Sequence, residues 1–149
     1  MKRFFLLLAL CTLACRFAVP LEPVSAVLGE EFTLKVGQSA TISTADMVIT
    51  LVSVPGDQRC PYELECAVSG PVSLSITVQI GSAALQEYAL QTFTDNDGRA
   101  PDMAFEGIQS SVTVGDGYMI QLESVLPYPQ RSMGEVRDWE YQVSFTVLK

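Results

Sequence analysis

The stretch Asp57–Ile80, DQRCPYELECAVSGPVSLSITVQI, decides how the rest of the chain is read. Its second half alternates without a break. Val72, Leu74, Ile76, Val78 and Ile80 point one way, and Ser73, Ser75, Thr77 and Gln79 the other. Successive side chains of an extended chain point to opposite faces, so this period of two predicts a half-buried antiparallel strand. The first half holds Cys60 and Cys66, which enclose Pro61, Tyr62, Glu63, Leu64 and Glu65. That spacing closes a small ring if the loop turns back, and Pro61 helps by setting one backbone dihedral. Closing so short a loop constrains the unfolded chain by about 2.4 kcal/mol. A redox pair or a metal site is the alternative, but redox motifs favour C-x-x-C and zinc needs two more ligands. The chain has no histidine, and its other cysteines, Cys11 and Cys15, lie in the N-terminal segment. A structural disulfide at the rim of a sheet is therefore expected.

Toward the N-terminus, residues 1–14 have the three-part form of an export signal. Lys2 and Arg3 precede an apolar run, Phe4 to Leu13, that is too short to span a bilayer. Thr12-Leu13-Ala14-Cys15 resembles a lipobox, with Thr12 where leucine is usual, and it marks Cys15 for lipidation. Cys11 is the poorer candidate, because Leu10 before it is too large for the cleavage position. An ordinary signal peptide cut near Ala14 or Ala18 is the alternative. Either reading exports the chain to a compartment where Cys60 and Cys66 are able to oxidise. Pro20 and Pro23 break any helix, so residues 15–30 read as a lipidated cysteine and tether, and residues 31–149 as a single domain. Losing Lys2 and Arg3 with the leader leaves 7 of 9 basic residues against 17 acids, a formal charge of −10. That balance argues against nucleic acid as a partner and against docking on an anionic membrane through a basic patch.

The rest of the chain repeats the period-two theme. Phe32, Leu34 and Val36 alternate before a Gly37-Gln38 turn, and Ala40 and Ile42 continue on a second strand. Met47 to Val54 carries β-branched residues on both faces, which predicts burial on both, with Pro55-Gly56 ending the strand. Residues 84–93, ALQEYALQTF, fit a strand better than a helical face. Val112 and Val114 lead through Gly115-Asp116-Gly117 to Tyr118–Val125, a hairpin. Pro127-Tyr128-Pro129 imposes an extended connection. Trp139, Tyr141, Val143, Phe145 and Val147 then alternate almost to the end, which reads as a last strand carrying much of the aromatic core. About seven to nine short strands with frequent turns predict an all-β fold, an antiparallel β-sandwich, with an up-and-down barrel as the alternative.

Two motifs carry a resemblance. The run D-x-R-C-P-x4-C-x-x-x-G is formed here by Asp57, Arg59, Cys60, Pro61, Cys66 and Gly70. With Y-x-I-x-L-x-x-V-x-P-Y-P from Tyr118 to Pro129, it resembles a group of small bacterial envelope lipoproteins of unassigned function. The likeness spans roughly residues 31–148 and implies a β-sandwich lipoprotein without supplying an activity. One departure is Val68, where the pattern carries an aromatic residue, so no role for that aromatic is transferred.

Without histidine, Ser-His-Asp and Cys-His catalysis in their usual forms are excluded, as are the common zinc sites. A carboxylate pair, as in glycan hydrolysis, is what remains for an exported enzyme, and Glu87 and Glu123 are the acids set on strands. Asp95, Asp97 and Asp102 offer hard oxygen ligands for calcium, although Asx-Gly runs are also ordinary turn formers and the spacing is not an EF-hand. Tyr62, Glu63, Leu64 and Glu65 form an acidic, partly aromatic ring tip, and Tyr128 between two prolines offers a second rigid aromatic. These five residues are the candidate partner loop, for a protein or a glycan, although covering the end of the sheet is the more ordinary role for Tyr62 and Leu64. Arg59 is expected to pair with Asp57 or a nearby glutamate. The reading as a whole is a lipid-anchored, non-enzymatic binding or structural module of the cell envelope, without a required cofactor.

Overall fold

Strand β5, Val72–Ile80, lies inside a five-stranded sheet, and its apolar face from Val72 to Val78 is buried as its alternation requires. The computed structural model describes residues 21–130 and 135–149; the leader, Cys15 and the first part of the expected tether lie outside the described residues. Nine strands occur among the described residues. They are β1 (Val24–Ser25), β2 (Phe32–Lys35), β3 (Ser39–Ile42), β4 (Met47–Asp57), β5, β6 (Gln86–Thr92), β7 (Ser111–Val114), β8 (Tyr118–Leu126) and β9 (Gln142–Leu148). The first sheet has the order β1-β3-β4-β5-β6 and the second β2-β9-β8-β7. Every neighbouring pair is antiparallel except β1 and β3, where Val24 lies opposite Ala40 and Ser25 opposite Thr41. The two sheets form a sandwich; the barrel alternative is set aside because the strands form no closed sheet.

One core joins the inner faces. Ile49, Leu51, Leu74, Ile76 and Leu90 of the first sheet meet Leu34, Ile120, Leu122, Val143 and Phe145 of the second. Each such side chain contributes about 1.5–3 kcal/mol by leaving water. The Phe32 and Phe145 rings, opposite one another on β2 and β9, lie 6.1 Å apart and tilted. The segment of ambiguous sequence pattern is strand β6, paired along its length with β5.

Four expectations change. Strand β4 is buried on one face only, with Val52 exposed, because no second layer covers its outer side. It also runs past Pro55-Gly56 to Asp57, with register shifts between Leu51 and Ser53 and between Ser53 and Gly56 that let a proline sit in a paired strand. Strand β9 starts at Gln142, so Trp139 belongs to a single 3-10 turn, Asp138–Glu140, and stands 67% exposed rather than in the core. Finally, residues 21–30 are partly taken into the domain. Val24–Ser25 pairs with β3, Ala26 is buried, and the Glu22 carbonyl accepts a 2.8 Å bond from the Gln38 amide. Pro23 rules out a helix here but not the short edge strand that Val24 and Ser25 form directly after it.

The end of β4, the start of β5, the end of β8 and the start of β9 meet at one end of the sandwich, where Asp57 pairs with Val72 and Leu126 with Gln142. The disulfide ring is mounted there.

Candidate functional site

Arg59 is the centre of that end. An arginine is costly to bury unless its charge and all five N–H donors are answered, and here they are. Its side chain is fully inaccessible while that of Asp57 is 10% exposed, and the closest approach between them is 2.6 Å. The guanidinium makes a two-pronged contact, Nε to Asp57 Oδ1 at 2.8 Å and Nη2 to Oδ2 at 2.6 Å. Nη1 donates to the Val125 carbonyl at 2.7 Å and to the Thr94 hydroxyl at 3.4 Å, and Nη2 also donates to the Pro127 carbonyl at 3.0 Å. The Tyr128 ring lies against the guanidinium, 5.1 Å from its carbon to the ring centroid. Asp57 is further held by the Arg59 amide at 3.2 Å and by the Tyr141 hydroxyl at 3.0 Å. Burial and the adjoining Asp57 carboxylate push the Tyr141 phenol well above its ordinary range.

The hub ties the end of β4 to the segment after β8 and to the residue before β9, across both sheets. The sequence anticipates the Asp57–Arg59 pair, two residues apart, but not its reach to Val125, Pro127 and Tyr141. Every donor of Arg59 is occupied, so the group is built to hold structure and not to capture a ligand.

Directly beyond it stands the ring. Cys60 and Cys66 are joined, with Cα atoms 5.9 Å apart, and the expected disulfide is present. The Tyr62 amide ties the ring to the Pro129 carbonyl at 3.0 Å and the Cys60 amide ties it to the Ser69 hydroxyl at 3.1 Å, while inside the ring the Leu64 amide donates to the Pro61 carbonyl at 2.9 Å. Its tip projects. Tyr62 is 67% exposed, Glu63, Leu64 and Glu65 are also exposed, and Val68, just after the ring, is 81% exposed. Tyr62 and Leu64 thus do not cover the sheet end. Tyr128, expected as a second presented aromatic, is buried instead, because it serves as the platform for Arg59. Between the hub and the ring opens an acid-edged concavity of about 520 Å³ lined by Pro55, Asp57, Pro61, Glu135, Asp138 and Tyr141 among others.

The calcium reading finds no convergent ligand set. Among the described residues no three of the histidine, cysteine, aspartate and glutamate side chains come together to hold a metal ion. Asp95 Oδ1 instead accepts the Asp97 and Arg99 amides, at 3.0 and 2.8 Å, so its carboxylate closes its own turn. Asp97 and Asp102 are exposed on the same loop. The loop is laid along β8 by bonds from Val125 to Gly98 and from Ala100 to Glu123, each 2.8 Å. Gly98 permits this, since its φ is +78° and a Cβ there would sit 2.6 Å from the Val125 carbonyl oxygen. Arg99 adds a 2.8 Å ion pair to Glu31, whose carboxyl it holds below the ordinary range. Glu87, considered for acid–base work, is exposed and accepts the Ser75 hydroxyl at 2.6 Å.

A second concavity at this end was not legible as a site. A shallow groove of about 660 Å³ runs past Trp139, Leu126, Gln142, Gln130, Asn96 and Asp97. The alternation through Asp138, Trp139 and Glu140 suits an inward tryptophan as well as an exposed one, so the pattern could not separate them. Set against known proteins, the chain matches no family model, and no curated protein or solved structure matches it at a significant level.

Proposed function

We propose that the chain is an exported, lipid-anchored envelope protein whose β-sandwich presents the loops around Cys60–Cys66 to a partner, without catalysing a reaction. The observation that carries this reading is the hub beneath the ring. A fully bonded buried ion pair costs desolvation and is weak support for stability by itself. Here it fixes the position of a projecting tip whose Tyr62, Leu64 and Val68 remain exposed. Rigid, exposed aromatic and aliphatic side chains on a braced loop are what partner recognition uses, because little side-chain entropy is lost on contact. The export leader, the lipobox-like Thr12–Cys15 and the resemblance to envelope lipoproteins support the anchored setting.

Two measurements test it. Fatty-acid labelling of the full-length chain in cells should be lost on Cys15→Ala; a variant still labelled and membrane-bound overturns the anchor. A photo-crosslinking residue at Tyr62 should give a discrete adduct in intact cells, and one at Val52, on the exposed face of β4, should not. Equal labelling at both positions, or none at Tyr62, overturns the assignment of the ring. Hydrolysis of a glycan by the purified chain would replace this reading with the carboxylate-enzyme alternative.

A further inference from the structure

We infer that the groove beside Trp139 is a binding site for a neutral carbohydrate chain. The inference rests on the reading of the ring end as a recognition surface and places its own ligand class on the neighbouring face. Trp139 stays 67% exposed although the Arg137 guanidinium lies 5.2 Å from its ring centroid. The 3-10 turn that carries the ring is closed by the Arg137 amide, which donates to Glu140 Oε2 at 2.7 Å. A pyranose ring presents one face of C–H bonds with partial positive hydrogens, and the negative face of an indole is its natural support. Around that indole the groove mixes amide, carboxylate and apolar groups. Asn96, Gln130 and Gln142 bring amides that both donate and accept, Asp97 an acceptor carboxylate, and Leu126, Pro127 and Tyr128 further apolar surface.

This composition separates the candidate occupants. Sugar hydroxyls each need a donor and an acceptor, which side-chain amides supply in pairs. A protein partner would ask for a broad apolar centre, whereas the apolar groups here, Trp139, Leu126, Pro127 and Tyr128, are interleaved with three amides and two carboxylates. An anionic polymer would meet Asp97 and Glu140, which balance Lys35 and the Arg137 guanidinium beside the indole, so the groove offers it no net positive charge, in a chain of formal charge −8. The open, shallow shape suits an extended chain passing through rather than an engulfed monomer.

Trp139 is the single tryptophan of the chain, so its fluorescence reports on this groove without interference. The full-length protein in detergent would be titrated with cellohexaose, laminarihexaose, maltohexaose and chitohexaose. At least one should change the emission saturably and give a matching calorimetric affinity. Trp139→Ala should weaken that affinity at least about tenfold and Gln142→Ala about threefold, with Trp139→Phe between wild type and Trp139→Ala. Tyr62→Ala should leave it unchanged. The inference is overturned if no hexaose alters the emission, if Trp139→Ala binds as well as wild type, or if heparin binds as tightly as the neutral chains. Loss of affinity in Tyr62→Ala alone would assign the sugar to the ring and likewise overturn the groove. A crosslinked partner at Tyr62 without any sugar response would leave the ring reading standing and remove only this one.

Discussion

Asp57→Asn isolates the hub with almost no change of shape. The asparagine oxygen is still able to take one guanidinium bond. Its amide, however, turns donors toward Nη2 of Arg59 and toward the Tyr141 hydroxyl, where Asp57 Oδ2 accepts at 2.6 and 3.0 Å. The larger loss is charge: Arg59, with an inaccessible side chain, is left without its counter-ion. Removing one partner of a buried pair costs about 3–5 kcal/mol. For a domain stable by about 5–15 kcal/mol this is severe but survivable. With a urea slope of about 2 kcal/mol/M, the unfolding midpoint should fall by about 2 M at unchanged slope. Far-UV circular dichroism across a urea series measures it. The double variant Asp57→Asn/Arg59→Met should cost at least about 2 kcal/mol less than the sum of the two single changes, because no unpaired charge is left. A loss below about 1 kcal/mol in Asp57→Asn, or simple additivity in the double variant, would refute the hub as the element that joins the two sheets.

Phe145→Ala, which empties a fully buried site, should cost about 3–5 kcal/mol by the same urea assay, whereas Glu22→Gln on the exposed entering segment should stay within about 0.5 kcal/mol. Cys60→Ser/Cys66→Ser should lose about 2–4 kcal/mol and keep a folded sandwich, and thiol counting on the protein purified without reductant should find neither sulfur free. Gly98→Ala should cost about 1–3 kcal/mol, since its left-handed backbone and the nearby Val125 carbonyl both oppose a Cβ; an unchanged midpoint would show that the loop moves away freely. Tyr141 gives a pH dependence. Its folded phenol is raised above the ordinary 10.0, so its share of stability is complete below pH 10 and is lost as pH climbs further, when only the unfolded chain ionises. Tyr141→Phe should flatten that alkaline loss, and an identical slope in the variant would count against it.

The strands were legible because each declares itself locally. Val72 to Ile80 needs only its own alternation to read as half-buried, and Gly115-Asp116-Gly117 announces its hairpin. Strand order has no such signal: Phe32 pairs with Phe145 across nearly the whole chain, and nothing in either neighbourhood names the other. The candidate site divides the same way. The ring and the Asp57–Arg59 pair are short-range and were readable; the exposure of Tyr62 and Leu64 was not, because the same side chains suit a cover for the sheet end. Tyr128 was misplaced because its partner is Arg59, distant in sequence, and a tyrosine between prolines looks equally fit for display or for stacking. Trp139 was misplaced for the opposite reason, because a regular pattern ran on past the true start of β9 at Gln142.

The way the two sheets end bears on how such proteins crowd together. A sheet edge offers unpaired amides and carbonyls to any other strand, and copies of one chain at high concentration meet edge to edge. Strand β1 closes one side with only two residues, and β2 and β7 present four each. The seven-residue β6 is the long edge, and the Gln109 carbonyl already takes the Gln91 amide near its far end. What is left for a foreign strand is the stretch from Gln86 to Ala89. Polymerisation, in a truncated or destabilised variant, would be seeded there.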